Sequence, residues 1–199
     1  MDIKDDIIRM LTIDDIDEWL DQCAIVDAES GEDGIYFGPY SRKDKFSKDK
    51  IKKKTLDRWT RNMDIPNWRK AWGIFHNQRI VGNAQIQAGE LPTGLHRVEM
   101  SIVILKEYRN KGLGKRLLEV LIDWCNQQES IHWIDLGVFS GNNNAMALFK
   151  KVGFQKVGYI EDCWLIDGKS ISETLMSINV KKNQTPHLQS FLFIASHTL

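Results

Sequence analysis

The seven residues Arg109-Asn110-Lys111-Gly112-Leu113-Gly114-Lys115 constrain this chain more than any other stretch. Before them runs Val98-Glu99-Met100-Ser101-Ile102-Val103-Ile104, mostly apolar and β-branched, which predicts a buried strand. After them Leu113, Leu117, Leu118, Leu121, Trp124 and Cys125 recur at helical spacing. Two glycines therefore sit on the turn between a core strand and the start of a helix. The first amides of a helix have no intrahelical partners, and the helix dipole adds partial positive charge there. Glycine lets an anion approach that backbone closely. Lys111, Lys115 and Arg116 supply further positive charge, so a pyrophosphate suits the turn. The plain alternative is a helix start with a glycine turn and no ligand.

Two familiar nucleotide loops do not match. A P-loop needs Ser or Thr after its Gly-Lys, and here Arg116 follows Lys115. A dinucleotide fingerprint needs a glycine where Arg109 stands. The pattern Arg-x-x-Gly-x-Gly, five residues after Ile104, instead resembles the acyl-CoA pyrophosphate loop of the GNAT superfamily of N-acetyltransferases. A second run, from Asn142-Asn143-Asn144-Ala145 through Leu148-Phe149 to Gly153-Phe154, resembles that superfamily's later motif. It follows a strand-like Trp133-Ile134-Asp135-Leu136-Gly137-Val138-Phe139. Two motifs in the right order are far more specific than either alone. The resemblance is firm from residue 98 to about 180 and covers the first ninety or so only by topology.

The resemblance implies an α/β (α+β) fold: a mixed, mostly antiparallel central sheet with splayed parallel central strands and flanking helices. It implies acetyl-CoA as cosubstrate, no metal, and transfer to an amine by direct attack in a ternary complex. Ile102, Val103 and Ile104 would pair with pantetheine through their backbone. Arg109, Asn110, Lys111, Gly112, Leu113, Gly114 and Lys115 would hold the pyrophosphate, chiefly through amides. Asn142 is expected near the cofactor or a water at the thioester, although Asn is equally a routine helix cap. Glu99, sharing a strand face with Ser101 and Val103, is the expected general base; the alternative is a carboxylate paired with Arg97 or left in solvent. Phe149, counted with the cofactor-binding residues, stands where many relatives have a tyrosine that protonates the leaving thiolate. A phenyl ring cannot donate, so Tyr159, Ser140 or water is expected to serve, or the thiolate leaves unaided. The acceptor site is expected between the early helices and the last hairpin, with Glu29, Glu32, Asp33, Tyr36, Tyr40 and Trp164 nearby. A small-molecule amine is the first expectation. A protein N-terminus or lysine is the alternative, and a non-catalytic acyl-CoA-binding regulatory domain the second.

Composition sets the outer bounds. The 199 residues suffice for one α/β domain, expected over 1–180. Formal net charge is +0, which argues against a dedicated nucleic-acid binder. That balance conceals a segregation: residues 1–40 carry a net charge of −10 and residues 41–70 a net charge of +8. The three cysteines lack CxxC spacing and the five histidines lack metal-ligand spacing. Reduced thiols, no secretory signal and no membrane-length apolar run lead to a cytoplasmic expectation.

Along the chain, Ile7 to Leu11 predicts a strand. Thr12 and Asp15 then open an amphipathic helix carrying Ile16, Trp19, Leu20, Cys23 and Val26. A long loop spans 29–40. The basic run 41–54, read as a solvated face, leads into a helix bearing Ile51, Leu56, Trp59 and Met63, expected to end at Pro66. A hairpin turns at His76-Asn77-Gln78, and a longer one turns at Asp167-Gly168. The tail 181–199, with apolar Phe191-Leu192-Phe193-Ile194, is expected to dock on the domain, to pair with a second copy as a homodimer, or to be an appended sequence.

Overall fold

A computed structural model of the chain describes residues 6–44 and 46–182. Seven strands form one sheet: β1 (Ile7–Met10), β2 (Arg69–His76), β3 (Arg79–Ala88), β4 (Arg97–Ile104), β5 (Trp133–Phe139), β6 (Gln155–Ile166) and β7 (Lys169–Asn179). Among the described residues four α-helices accompany them: α1 (Ile16–Glu29), α2 (Lys48–Thr60), α3 (Leu113–Gln127) and α4 (Asn143–Lys151). The strand order is β1-β2-β3-β4-β5-β7-β6. Only β4 and β5 run parallel; every other pair is antiparallel. The mixed sheet predicted from the motifs is therefore present.

The parallel pair is short. Arg97, Val98 and Glu99 align with Trp133, Ile134 and Asp135, and the pairing then stops. Yet β4 stays bonded to β3 as far as Ile104, and β5 stays bonded to β7 as far as Phe139. The inner edges of both strands consequently diverge beyond Glu99. Their backbone polar groups there face a gap in which no neighbouring strand answers them.

Strand alternation divides the core between two faces. On one, Ala84, Ile86, Val98, Met100, Ile134 and Met176 pack against Leu117, Leu118 and Leu121 of α3. On the other, Ala71 and Ile80 pack against Trp19 and Leu20 of α1 and Trp59 of α2. The two indoles meet edge to face at 5.3 Å. Both clusters bury large side chains, each contributing about 1.5–3 kcal/mol. The opposite charges of the first two segments meet here: Lys48 and Lys52 of α2 pair with Asp21 and Asp17 of α1. The basic run is thus a solvated face with acidic partners.

One boundary differs from expectation. Helix α2 ends at Thr60, six residues before Pro66. The Thr60 hydroxyl bonds back to the carbonyls of Leu56 and Asp57, and Arg61 is extended. Met63, expected on that helix, joins the core on the α3 face. Both hairpins turn as predicted, with Asn77-Gln78 and Asp167-Gly168 left-handed at both central positions. Among the described residues no helix is long and apolar enough to cross a membrane. The apolar stretch of the tail lies outside the described residues.

Candidate active site

The gap between β4 and β5 opens into a cavity of about 510 Å³. Its walls include Ile102, Val103, Ile104, Arg109, Asn110, Gly112, Leu113, Gly114, Lys115, Asn142 and Phe149. The structure thus brings together every predicted cofactor residue except Lys111. The Lys111 ammonium instead stands 5.1 Å from the Tyr108 ring centre. Asn110 and Gly112 are left-handed, at φ 61° and 79°, which lets the chain turn sharply into α3. The first helical bond runs from the Arg116 amide to the Gly112 carbonyl at 3.2 Å, so the amides of Leu113, Gly114 and Lys115 precede the ladder. A Cβ added at Gly112 would meet nothing within 4 Å. The turn therefore has open space before donor amides, and it fits a pyrophosphate.

This loop is braced from outside. Arg109 Nε donates to the Ile104 carbonyl at 2.8 Å, and its Nη2 pairs with Glu29 at the end of α1. Glu29 also accepts the Lys106 amide at 3.0 Å. The Lys106 ammonium reaches Asp33 at 3.0 Å and Glu32 at 3.7 Å. Three acids expected at the acceptor site thus turn to the cofactor loop, because the end of α1 lies beside the segment leaving β4. The loop after α1 then crosses the cavity with Ile35, Tyr36 and Phe37. Tyr36 packs against Ile166, Ile171 and Phe139. Beyond it, the Ser41 hydroxyl and the Arg42 amide donate to Asp167 at 2.5 and 3.0 Å. Those two bonds also hold the Asp167 carboxyl below its ordinary value.

Asn142 caps α4, its Oδ1 accepting the Ala145 amide at 3.2 Å, while it also lines the cavity. Phe149 is buried, its ring 5.7 Å from that of Phe154. Tyr159 stands on β6, 54% exposed, and is not among the cavity residues. Tyr36 and Tyr108 are the phenols that line it. Tyr36, expected near the acceptor, thus lines the same cavity as the cofactor residues. Burial pushes the free thiols of Cys23 and Cys125 up to about 12, which keeps them protonated and poor nucleophiles.

On the sheet face beneath α1 and α2, Glu99 occupies the last paired rung before the strands part. It is exposed and accepts Gln87 Nε2 at 2.8 Å. Arg97, its suggested partner, instead grips Asp135 through two bonds of 2.8 and 2.6 Å, and Ser177 donates to the same carboxylate at 2.6 Å. Among the described residues no cation forms an ion pair with Glu99. One rung further, Ser101 lines the cavity and receives Gln85 Nε2 at 3.1 Å. Gly137 lies across the gap, and Glu173 folds over it so closely that a Cβ there would stand 1.7 Å from Oε1. Glu173 is held by Trp164 Nε1 at 3.2 Å. Sequence reasoning missed Glu173; a lone glycine inside a strand is the signal that marks such a close approach.

Residues 13–154 match the acetyltransferase (GNAT) family. The L-amino acid N-acetyltransferase AaaT of Escherichia coli (strain K12) is 26% identical over 98 residues, which are 49% of this chain and 60% of that protein. A probable spermine N(1)-acetyltransferase of Bacillus subtilis subsp. natto is 36% identical over 56 residues, 28% of this chain and 37% of that protein. The matched stretches thus span under two thirds of these relatives. The crystal structure of a GNAT-family acetyltransferase from Streptococcus pneumoniae superposes with a TM-score of 0.76 at 25% identity, covering 88% of this chain and 99% of that one.

Proposed function

We propose that this chain, which belongs to the acetyltransferase (GNAT) family, transfers the acetyl group of acetyl-CoA to the primary amine of a small molecule. The observation that carries this reading is the gap between β4 and β5. It has a phosphate-type cradle of amides at the α3 end and closes at the rung of Glu99, whose carboxylate is not among the cavity residues and forms no ion pair among the described residues. A pantetheine lying along Met100–Ile104 would satisfy backbone groups that no strand satisfies. Its thioester would then end near the rung of Glu99 and Ser101. Glu99 takes the ammonium proton, directly or through water, and the amine attacks the thioester in a ternary complex. No acyl-cysteine step is assigned, since none of Cys23, Cys125 and Cys163 is among the residues lining this cavity.

The clip of Ser41 and Arg42 onto Asp167 favours a small acceptor. It ties the loop after α1 across the end of the last hairpin, where a protein acceptor would need an open groove. The test is release of free thiol from acetyl-CoA with a panel of primary amines and short peptides. Turnover with small amines and none with peptides is expected. Turnover with peptides alone would replace the small-acceptor reading, and binding of acetyl-CoA without turnover on any acceptor would leave a non-catalytic acyl-CoA-binding domain.

A further inference from the structure

The rung of Glu99 runs on across the sheet: Arg69 of β2, Gln87 of β3, Glu99 of β4, Asp135 of β5 and Ser177 of β7 are in register. In-register residues share one face, so this is a single row of polar side chains beneath α1 and α2. Its two ends differ. Asp135 is fully answered by Arg97 and Ser177. Arg69 is not. Its Nη2 donates to Gln87 Oε1 at 2.6 Å, while its Nε is buried with no partner. Arg58 of α2 converges on the same oxygen, its Nη1 at 3.3 Å. Its Nη2 stands 3.5 Å from Asn67 Oδ1.

Two guanidinium groups thus share one neutral amide oxygen, and among the described residues no carboxylate forms an ion pair with either. Such an arrangement costs desolvation and like-charge repulsion, offset only in part by the attraction of Glu99, which makes no ion-pair contact with either guanidinium. Burial first, and Arg58 second, push the Arg69 guanidinium down to about 10. Arg69 is also within electrostatic reach of Tyr40 and Cys23, which line a second cavity of about 430 Å³. The missing element is an anion with a planar pair of oxygens, the shape that guanidinium recognises best.

On the acetyltransferase reading above, we infer that Arg69 and Arg58 bind the carboxylate of the acceptor, and that the acceptor is a free α-amino acid whose ammonium faces Glu99. The spacing supports this. Gln87 bonds Arg69 through its oxygen and Glu99 through its nitrogen, so the cationic and anionic groups stand one amide apart. The amine and carboxylate of an amino acid are separated by a similar few bonds. A further acceptor, Gln85 Oε1, is buried without a partner one rung toward the cavity, where an ammonium with three donors can use it. A polyamine has no group for the arginine pair and would bring cations toward it, so the same residues select against that class.

The test uses the full chain with acetyl-CoA and thiol release. Several L-amino acids are compared, each beside its carboxamide and its decarboxylated amine, with spermine alongside. The acids should exceed their carboxylate-free analogues by about 10²-fold or more in kcat/KM, since a site built for a polar group rejects ligands that lack it. Arg69→Met should abolish that preference through KM, Arg69→Lys should restore part of it, and Arg58→Met should weaken it. Acetyl-CoA should still raise the melting temperature of each variant, which certifies the fold; if Arg69→Met fails this, Arg58→Met carries the test. Carboxylate-free amines turned over as well as the acids, or a preference that survives both variants, would overturn the inference and leave the transferase reading intact. Should no amine turn over, the transferase reading falls, and calorimetry of the amino acids on CoA-saturated protein decides. Binding that requires the carboxylate and both arginines upholds the site, and no binding overturns it.

Discussion

Replacing Glu29 by Ala tests whether the cofactor loop owes its shape to a residue eighty positions earlier. The carboxylate accepts from Arg109 Nη2 and from the Lys106 amide. The side chains of Arg109 and Glu29 are 32% and 14% exposed, so the pair lies between a surface ion pair and a buried one. A hydrogen bond to a charged group contributes about 1.5–3 kcal/mol when well buried, and surface exposure reduces it. Taking about 1–2 kcal/mol for the pair and about 1 kcal/mol for the orphaned amide gives a loss of about 2–3 kcal/mol. For a domain of this size that lowers Tm by about 4–12 °C. Arg109 keeps its bond to the Ile104 carbonyl but loses its outer anchor, so the turn into α3 should become less ordered. Acetyl-CoA affinity should then fall by about 10-fold, equivalent to about 1.4 kcal/mol. Differential scanning fluorimetry with and without acetyl-CoA measures both effects. A variant that melts within about 1 °C of wild type and keeps its full ligand-induced shift would refute the bracing argument.

Three further expectations follow from the same geometry. Glu99→Gln should cut turnover by about 10²–10⁴-fold with acetyl-CoA affinity near wild type, its residual rate climbing with pH as free amine accumulates; wild-type turnover with an unchanged pH profile would remove Glu99 as the base. Gly112→Val should lose most of the acetyl-CoA-induced Tm shift, because its branched side chain would fill the open space at the loop; the left-handed φ of 79° should also cost the unliganded protein about 1–2 kcal/mol, read by urea melts. Asp15→Asn should destabilise by about 1 kcal/mol at neutral pH. Arg9 holds the Asp15 carboxyl down at about 2 against an ordinary 3.8, so its contribution is complete above 3.8 and lost as pH falls through about 2. The gap between wild type and variant in denaturant melts should therefore close over that interval, and a pH-independent gap would count against the pairing.

The legible parts of this chain were those whose signal is local. Alternation in β5 and helical spacing in α3 place both elements with no knowledge of their neighbours, and Asn77-Gln78 and Asp167-Gly168 carry their turns in two residues. The cofactor side is equally local, since a strand, a glycine turn and a helix start are contiguous. The end of α2 was not. Its apolar spacing runs on to Met63, but that side chain is taken by the core across the sheet, and the chain breaks at Thr60 to deliver it. Tyr159 shows the same limit. Its place on β6 was foreseen, but only the paired register reveals that the ring stands away from the cavity.

The acceptor side is assembled by register, which has no local signature. Arg58, Arg69, Gln87 and Glu99 come from a helix and three strands. Sequence distance says nothing about which of them are neighbours; β2 pairing with β3, and β3 with β4, sets them in one line. Slipping β3 by one residue would turn Gln87 and Gln85 to the opposite face and put Ile86 among the arginines. The apolar partners of Ile86 and Ala84 on the α3 face forbid that slip. The hydrophobic core on one side of the sheet thereby fixes the polar row on the other. On the proposed reading, substrate choice at Arg69 and Glu99 would be a consequence of packing: a core change that loosens β3 should relax acceptor preference before it touches the proposed acetyl-CoA cradle, which rests on the separate contacts of Glu29, Arg109 and α3.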